Sequence, residues 1–215
     1  MKRFVVVILI CLGTLAAKAQ PVLSSPEYYL GAQGGVLASM VMFNPTVYQS
    51  ALKPFWGANA GLVFRYAGHK YCGLQLELNY MQRGWNEPET TTTTAYSRRL
   101  DYIELPFMSH IYFGKIVRGY INLGPQIGYL IYDNMPAVEE GDLAYQRITP
   151  IANRFDWGVT AGIGMYARTI AGVWQLEARF NYSLGTNFSS RAGAYFTGSN
   201  NMNLSLNFAY LWQIK

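Results

Sequence analysis

The segment Arg98–Asp133 carries the most regular pattern in the chain, and it restricts the fold more than any other feature. Apolar and polar side chains alternate along two runs, which are joined by the four-residue stretch Gly114–Val117. Strict alternation with a period of two is typical of β-strands, because successive side chains point to opposite faces. Each run is long enough to cross a bilayer as a tilted strand, which takes roughly 9–11 residues. The segment therefore predicts a hairpin of two membrane-length strands.

The same alternation recurs after residue 20 and predicts eight strands in all. They are Tyr28–Ser39, Phe55–Ala67, Tyr71–Arg83, the two strands of the hairpin, Phe155–Arg168, Val173–Gly185 and Asn201–Ile214. Short connections such as Gly68-His69-Lys70 alternate with long ones such as Met40–Pro54, which is the pattern of outer-membrane barrels. An even number of strands also closes the sheet without a free edge. We predict an all-β fold: an eight-stranded antiparallel up-and-down transmembrane β-barrel with short periplasmic turns and long extracellular loops.

The N-terminus has the three parts of a secretory signal peptide. Lys2 and Arg3 precede an apolar run, and the small-residue motif Ala17-Lys18-Ala19 follows it. We expect residues 1–19 to be cleaved and residues 20–215 to form one barrel domain in the bacterial outer membrane. The signal contains three cations and no acid, so its removal lowers the formal net charge from +5 to +2. No basic surface for nucleic acid is expected in the remaining chain.

The charged residues indicate which face of the barrel points outward. An arginine on the lipid face would cost roughly 2–4 kcal/mol at the bilayer midplane. The polar face is therefore expected to line the lumen, while the apolar face contacts outer-membrane lipid. A soluble lipocalin-like barrel, with its apolar face inside, is the structural alternative. The predicted lumen charge network consists of Arg65, Glu77, Glu104, His110, Glu177 and Arg179.

The predicted lumen is filled rather than open. Eight strands enclose an interior just wide enough for side chains. We expect Glu104 to pair with Arg65, with Arg179 or with both. Glycines on the polar face are expected to make room for longer lumen side chains; they include Gly124, Gly128, Gly162 and Gly164.

Two prolines and five tryptophans carry further expectations. Pro106 and Pro125 each remove a ladder donor in mid-strand, so we expect β-bulges at both. Tryptophans near strand ends are typical of an interfacial girdle. The predicted girdle residues are Trp56, Trp85, Trp157, Trp174 and Trp212.

Residues suited to catalysis or metal binding are few. His110 shares a face with Glu104, which suggests a lipid hydrolase, but the neighbouring Ser109 points to the opposite face. His69 and Cys72 form a single H-x-x-C pair, and a zinc site needs three or four ligands. We therefore expect no enzyme, no cofactor and no metal site. A lipid-modifying hydrolase and a small-solute channel remain the alternative functions.

An apolar run in the first predicted long loop is a candidate contact with another protein. Met40, Met42 and Phe43 lie in this run. The same residues would equally suit a continued strand wall. Because loops carry function on rigid scaffolds, both interpretations stay open from the sequence.

Three motifs resemble the PorT-like family of outer-membrane β-barrel proteins from Bacteroidetes. They are Tyr102-Ile-Glu-Leu-Pro-Phe107, Tyr112-Phe-Gly114 and Gly124-Pro-x-x-Gly128-Tyr129. The resemblance covers most of the chain after the signal peptide and implies the barrel fold without catalytic residues. The protein that gives the family its name is implicated in export of proteins across the outer membrane. The resemblance thus implies a non-enzymatic barrel with a structural or assembly role, and envelope or secretion proteins as partners.

Overall fold

The structure, a computed structural model, describes residues 22–44, 52–89, 94–135, 147, 149–188 and 197–214, with side chains from residue 26 onward. The predicted signal peptide, residues 1–19, lies outside the described residues. Within the described ranges, no helix is long and apolar enough to cross a membrane. The strands are β1 (Val22–Asn44), β2 (Lys53–His69), β3 (Cys72–Glu87), β4 (Tyr96–Gly114), β5 (Val117–Asn134), β6 (Phe155–Thr169), β7 (Gly172–Ser183) and β8 (Gly198–Gln213).

The eight strands form a closed antiparallel barrel in which each pairs with its sequence neighbours and β1 pairs with β8. Following paired residues once around the ring, from β1 through β8 to β2, leads from Ala38 to Tyr28. The return point lies ten positions earlier on β1, and strand number and stagger together set the tilt and diameter of a barrel. The predicted fold is confirmed.

Tight turns close one rim of the barrel. The turns after β4 and β6 each have two residues between strands, and Gly114 and Gly172 adjoin them with φ values of +114° and +143°. Such positive φ values are readily adopted only by glycine among ordinary residues. These turns form the periplasmic rim. The longer connections join the strands at the opposite, extracellular rim.

Several strands extend beyond their predicted ends at the extracellular rim. β1 continues to Asn44, so Met40, Met42 and Phe43 lie in a strand and not in a loop. β3 continues to Glu87, and β4 already begins at Tyr96. The apolar–polar alternation fades here because outward side chains leave the hydrocarbon region, although the backbone ladder continues. The pattern therefore marks the membrane-embedded part of each strand better than its whole length.

The apolar face points outward, as predicted. Along β4, the side chains of Leu105, Phe107 and Ile111 are exposed, whereas those of Glu104 and His110 are buried. Ser109 lies on the same outward face as its apolar neighbours.

The expected bulges at the two prolines are wrong. The β4–β5 ladder keeps one register from Tyr102 to Gly114, and the β5–β6 ladder keeps one register past Pro125. Opposite Pro106 the β3–β4 ladder lacks bridges, but it resumes in the same register. Each proline thus removes hydrogen bonds without an extra residue, and the β4–β5 irregularity lies between Asp101 and Tyr102 instead.

The predicted role of the lumen glycines is observed at two of the four positions. A Cβ at Gly162 would come within 2.2 Å of Glu177 Oε1, and one at Gly164 within 2.3 Å of the Leu176 backbone oxygen and 2.5 Å of the Tyr120 hydroxyl. At Gly128 the nearest atom would be Cγ of Glu104 at 3.4 Å, which is an ordinary van der Waals distance. Gly124 differs, because its Cβ would meet the backbone oxygen of Phe107.

The outward orientation of the apolar face can be tested with one buried charge. Leu206 is 51% exposed on the outer wall of β8, and Ile116 is 74% exposed in a periplasmic turn. We expect Leu206→Arg to lower the free energy of unfolding in lipid vesicles by about 2–4 kcal/mol, because the guanidinium would enter hydrocarbon. Ile116→Arg is the control and should change it by less than about 1 kcal/mol. Equal effects of the two substitutions in urea titrations would contradict the assigned orientation.

Candidate functional site

The lumen is the most highly organised part of the molecule, and its first ion-pair group is centred on Arg179. Glu177 and Arg179 are two positions apart on β7 and therefore point to the same side. Arg179 donates through Nε to Glu177 Oε1 at 2.7 Å and through NH2 to Glu77 Oε1 at 2.7 Å. Neutral donors complete both carboxylates: Gln33, Gln75 and Asn79 around Glu77, and Tyr120, Asn122 and Gln175 around Glu177.

The second ion-pair group is centred on Arg83, nearer the extracellular rim. Its guanidinium forms an ion pair with Glu104 and donates to Asp156 Oδ2 at 2.7 Å. The same guanidinium lies over the ring of Tyr102, 4.9 Å from the centroid. All four side chains are buried, so the two carboxylates share a single cation in a space without bulk water.

The prediction that Glu104 pairs with Arg65 or Arg179 is wrong. Arg65 lies four residues before the periplasmic end of β2, whereas Glu104 lies ten residues before the periplasmic end of β4. The two side chains are therefore at different depths in the lumen. Arg179 is occupied by Glu77 and Glu177, so Arg83 is the counter-ion of Glu104.

Among the described residues, Arg65 is held by neutral groups and not by a direct ion pair. Its guanidinium donates to the side-chain oxygens of Gln75 and Gln175. It also lies over the rings of Tyr166 and Tyr120, at 5.2 and 5.9 Å from their centroids. Amide oxygens and aromatic faces thus solvate a buried cation here.

His110 belongs to an aromatic cluster at the periplasmic end and joins the ionic groups only indirectly. Its ring lies 4.8 Å from that of Tyr120 and 5.9 Å from that of Tyr166, centroid to centroid. Its Nδ1 is 2.7 Å from Asn122 Oδ1. Because the amide nitrogen of Asn122 donates to Glu177, its oxygen is the acceptor, and His110 Nδ1 carries the proton.

A second aromatic cluster fills the extracellular end. The rings of Phe43, Trp85 and Phe188 lie 5.6 to 6.3 Å apart, centroid to centroid. Trp85 is fully buried, so its predicted place in the interfacial girdle is wrong. It follows the inward series of Glu77 and Arg83 on β3, whereas the other four tryptophans are exposed on the outer side. Phe43 also points inward, unlike the partly buried Met40 and the 40% exposed Met42.

Two further arginines fix the extracellular end of the lumen. Arg98 donates to both carboxylate oxygens of Asp133, at 2.9 and 2.7 Å. Arg147 donates to Glu87 Oε2 at 2.9 Å and to the backbone oxygen of Thr94 at 3.0 Å. These bonds tie β3, β4 and β5 to the connection that follows β5.

Chemically, the arrangement suits a rigid plug and offers little for catalysis. The two aromatic clusters cover the ends, and ion pairs fill the space between them. In the described part of the chain, no three histidine, cysteine or carboxylate side chains are grouped as metal ligands. Ser109 points out of the barrel, and the hydrogen bond of His110 goes to Asn122.

Sequence reasoning missed Arg83 and Asp156, although a signal for both was present. Arg83 has the same parity as Glu77 on β3, and Asp156 has the same parity as Thr160 on β6. Both residues stand near strand ends, where interfacial or loop positions are hard to distinguish from lumen positions. Both residues lie inside the predicted strands, two same-face positions beyond Asn79 and Thr160, so following the alternation to the strand ends would have identified them.

A family model and the structure of OprG agree with this architecture. A family model described as an outer membrane protein beta-barrel domain matches residues 19–189. The crystal structure of OprG from Pseudomonas aeruginosa aligns with a TM-score of 0.50 at 10% identity, covering 87% of this chain and 96% of that chain. Ail of Yersinia pestis aligns with a TM-score of 0.45 at 14% identity, covering 86% and 99%. No curated protein matches the sequence significantly.

Because Arg83 is the cation shared by two carboxylates, substitutions at Arg83 and at Glu104 should lower the free energy of unfolding by different amounts. Arg83→Met leaves Glu104 and Asp156 buried without their counter-ion, and should lower the free energy of unfolding by about 3–5 kcal/mol. Glu104→Gln leaves the bond between Arg83 and Asp156 in place, so a smaller loss is expected. Urea unfolding in lipid vesicles measures both values. A loss for Glu104→Gln as large as that for Arg83→Met would contradict the arrangement.

Proposed function

Because this chain belongs to the family of outer membrane protein β-barrel domains, we propose that it is a non-enzymatic integral barrel with a structural or assembly role in the envelope. The observation that carries the proposal is the filled lumen. Arg65, Arg83 and Arg179 are buried there with their hydrogen-bond partners. When the interior is occupied, the outer wall and the extracellular rim are the surfaces that remain for interaction.

The filled lumen argues against a small-solute channel. A pore through an eight-stranded barrel would have to displace side chains, because the interior has room for little else. Trp85 and Tyr102 lie across the extracellular end, and Tyr120 lies across the periplasmic end. Opening this path would break several buried ion pairs, and the loss of each pair would strongly destabilise the folded barrel.

The geometry also argues against the hydrolase. A nucleophile, a base and an acid must lie within hydrogen-bond reach of one another. His110 is enclosed by tyrosines and bonded to Asn122, and Glu104 is bonded to Arg83. Neither is placed to activate a serine, so neither is assigned a catalytic role.

We further propose that the barrel takes part in protein secretion and that its partners are other envelope or secretion proteins. The support is the resemblance of the Tyr102–Phe107 and Gly124–Tyr129 motifs to the PorT-like family of Bacteroidetes. Residues 1–19 would direct export and be removed. Met42 and Met40 are the best-placed of the candidate partner contacts, because Phe43 points into the barrel.

Adjacent residues of β1 provide a matched test for a partner. We expect a photo-crosslinking amino acid at Met42 to capture an envelope protein in intact cells, because this side chain is exposed. The same amino acid at Phe43 should capture none, since that side chain is buried inside the barrel. Adducts are identified by mass spectrometry of the purified barrel. Capture of lipid alone at Met42, across growth conditions that require secretion, would contradict the proposed partner surface.

A further inference from the structure

A groove lies on the outer side of the barrel where β6 and β7 end at the extracellular rim. Its volume is about 470 Å³, and residues 152–155, Trp157 and residues 184–186 line it. It is separate from the lumen, because Phe155 and Trp157 are outward-facing residues of β6. The proposed structural role does not use this groove.

The walls of the groove are held in place by hydrogen bonds beyond the ends of the two strands. The backbone nitrogens of Ala152 and Asn153 donate to the oxygen of Asn187, at 2.9 and 3.1 Å. The Asn153 side chain donates to the backbone oxygen of Thr186 at 2.8 Å. On the opposite side, Leu184 donates to the Trp157 oxygen at 2.7 Å. Little conformational entropy would therefore be lost when a ligand binds.

Gly185 lies between these walls, close to Trp157. A Cβ at this position would lie 3.5 Å from Cδ1 of Trp157 and 3.1 Å from Asp156 Oδ1.

The lining is apolar toward the membrane and polar toward the rim. Phe155, Trp157 and Leu184 are exposed apolar side chains on the membrane side. Asn153 and Arg154 are exposed polar side chains toward the connections. A ligand that matches this lining has an apolar part in the hydrocarbon region and a polar part at the interface.

Arg154 gives the groove a positive charge. Within the described residues, its guanidinium has no carboxylate partner, although its backbone oxygen accepts from Leu130. Arg99, another arginine near this rim, differs because it donates to Asp101 at 2.7 Å and lies over the ring of Tyr132. An unpaired guanidinium is well suited to bind phosphate through two parallel hydrogen bonds.

We propose that this groove binds the phosphorylated headgroup of an outer-leaflet lipid. Arg154 pairs with the phosphate, Asn153 and Thr186 lie beside the polar part of the headgroup, and an acyl chain runs along Trp157 and Leu184. The site would fix one lipid molecule against β6 and β7 at a defined position on the barrel wall.

The proposal is tested by retention of lipid in native mass spectrometry. The protein purified from outer membranes is mixed with diphosphorylated lipid A in detergent, and the bound fraction is measured at increasing lipid concentration. The wild type should bind one molecule more tightly than Arg154→Gln by about tenfold, as expected for a charge-assisted hydrogen-bonded pair. Arg99→Gln is the matched control and should bind as the wild type does. The heat-dependent shift of folded barrels in electrophoresis verifies that each variant is folded.

Two further measurements distinguish a phosphorylated lipid from a free phosphate ion and from a lipid without phosphate. Inorganic phosphate at millimolar concentration should not displace the lipid, because it lacks the apolar part; full displacement would show a plain anion site and overturn the proposal. Lipid A without phosphate groups should bind the wild type and Arg154→Gln alike. Equal binding of diphosphorylated lipid A to the wild type and Arg154→Gln would also overturn it, as would an equal loss in Arg99→Gln.

Discussion

Backbone pairing in a medium without water is the constraint on which this structure depends. Every amide in the hydrocarbon region must find its partner within the protein, so a sheet in the membrane must close on itself. Closure of eight strands with a stagger of ten positions produces a narrow interior. The lumen must then be filled by side chains whose polar groups satisfy one another. The ion pairs and the two aromatic clusters follow from this requirement.

The lumen divides its charges into groups at different depths. Arg179 forms ion pairs with Glu77 and Glu177, and Arg83 forms ion pairs with Glu104 and Asp156. Such buried pairs are weak evidence for high stability, because desolvation offsets much of their attraction. They do specify one arrangement strongly, since removal of one partner leaves a charge buried. The same rigidity leaves the outer wall and the extracellular rim as the places where this barrel can meet lipid or protein.

Much of the architecture was predictable from the sequence, because the membrane imposes a period of two on every strand. The alternation around Glu104 and His110 gave the inward face of β4 correctly. The alternation that runs through Glu77 and Arg83 on β3 would have placed Trp85 inward as well. The counter-ion of Glu104 was not predictable, since it depends on the stagger between strands that are distant in sequence. The ends of β1 and β3 were also missed, because the contrast between apolar and polar faces disappears above the bilayer. The prediction of a β-bulge at Pro106 was wrong because the closed ladder keeps its register there despite the missing hydrogen bond.

Thiol labelling shows directly whether the lumen is filled and closed to solvent. Thr160 is 1% exposed and points inward, where its hydroxyl donates to Asn181 at 2.8 Å. In a Cys72→Ser background, Thr160→Cys in lipid vesicles should resist a small water-soluble methanethiosulfonate reagent applied to both sides. Ile116→Cys in the periplasmic turn should react within the dead time of mixing and serves as the positive control. Rapid labelling of Thr160→Cys in the folded barrel would show a hydrated lumen and contradict a filled interior.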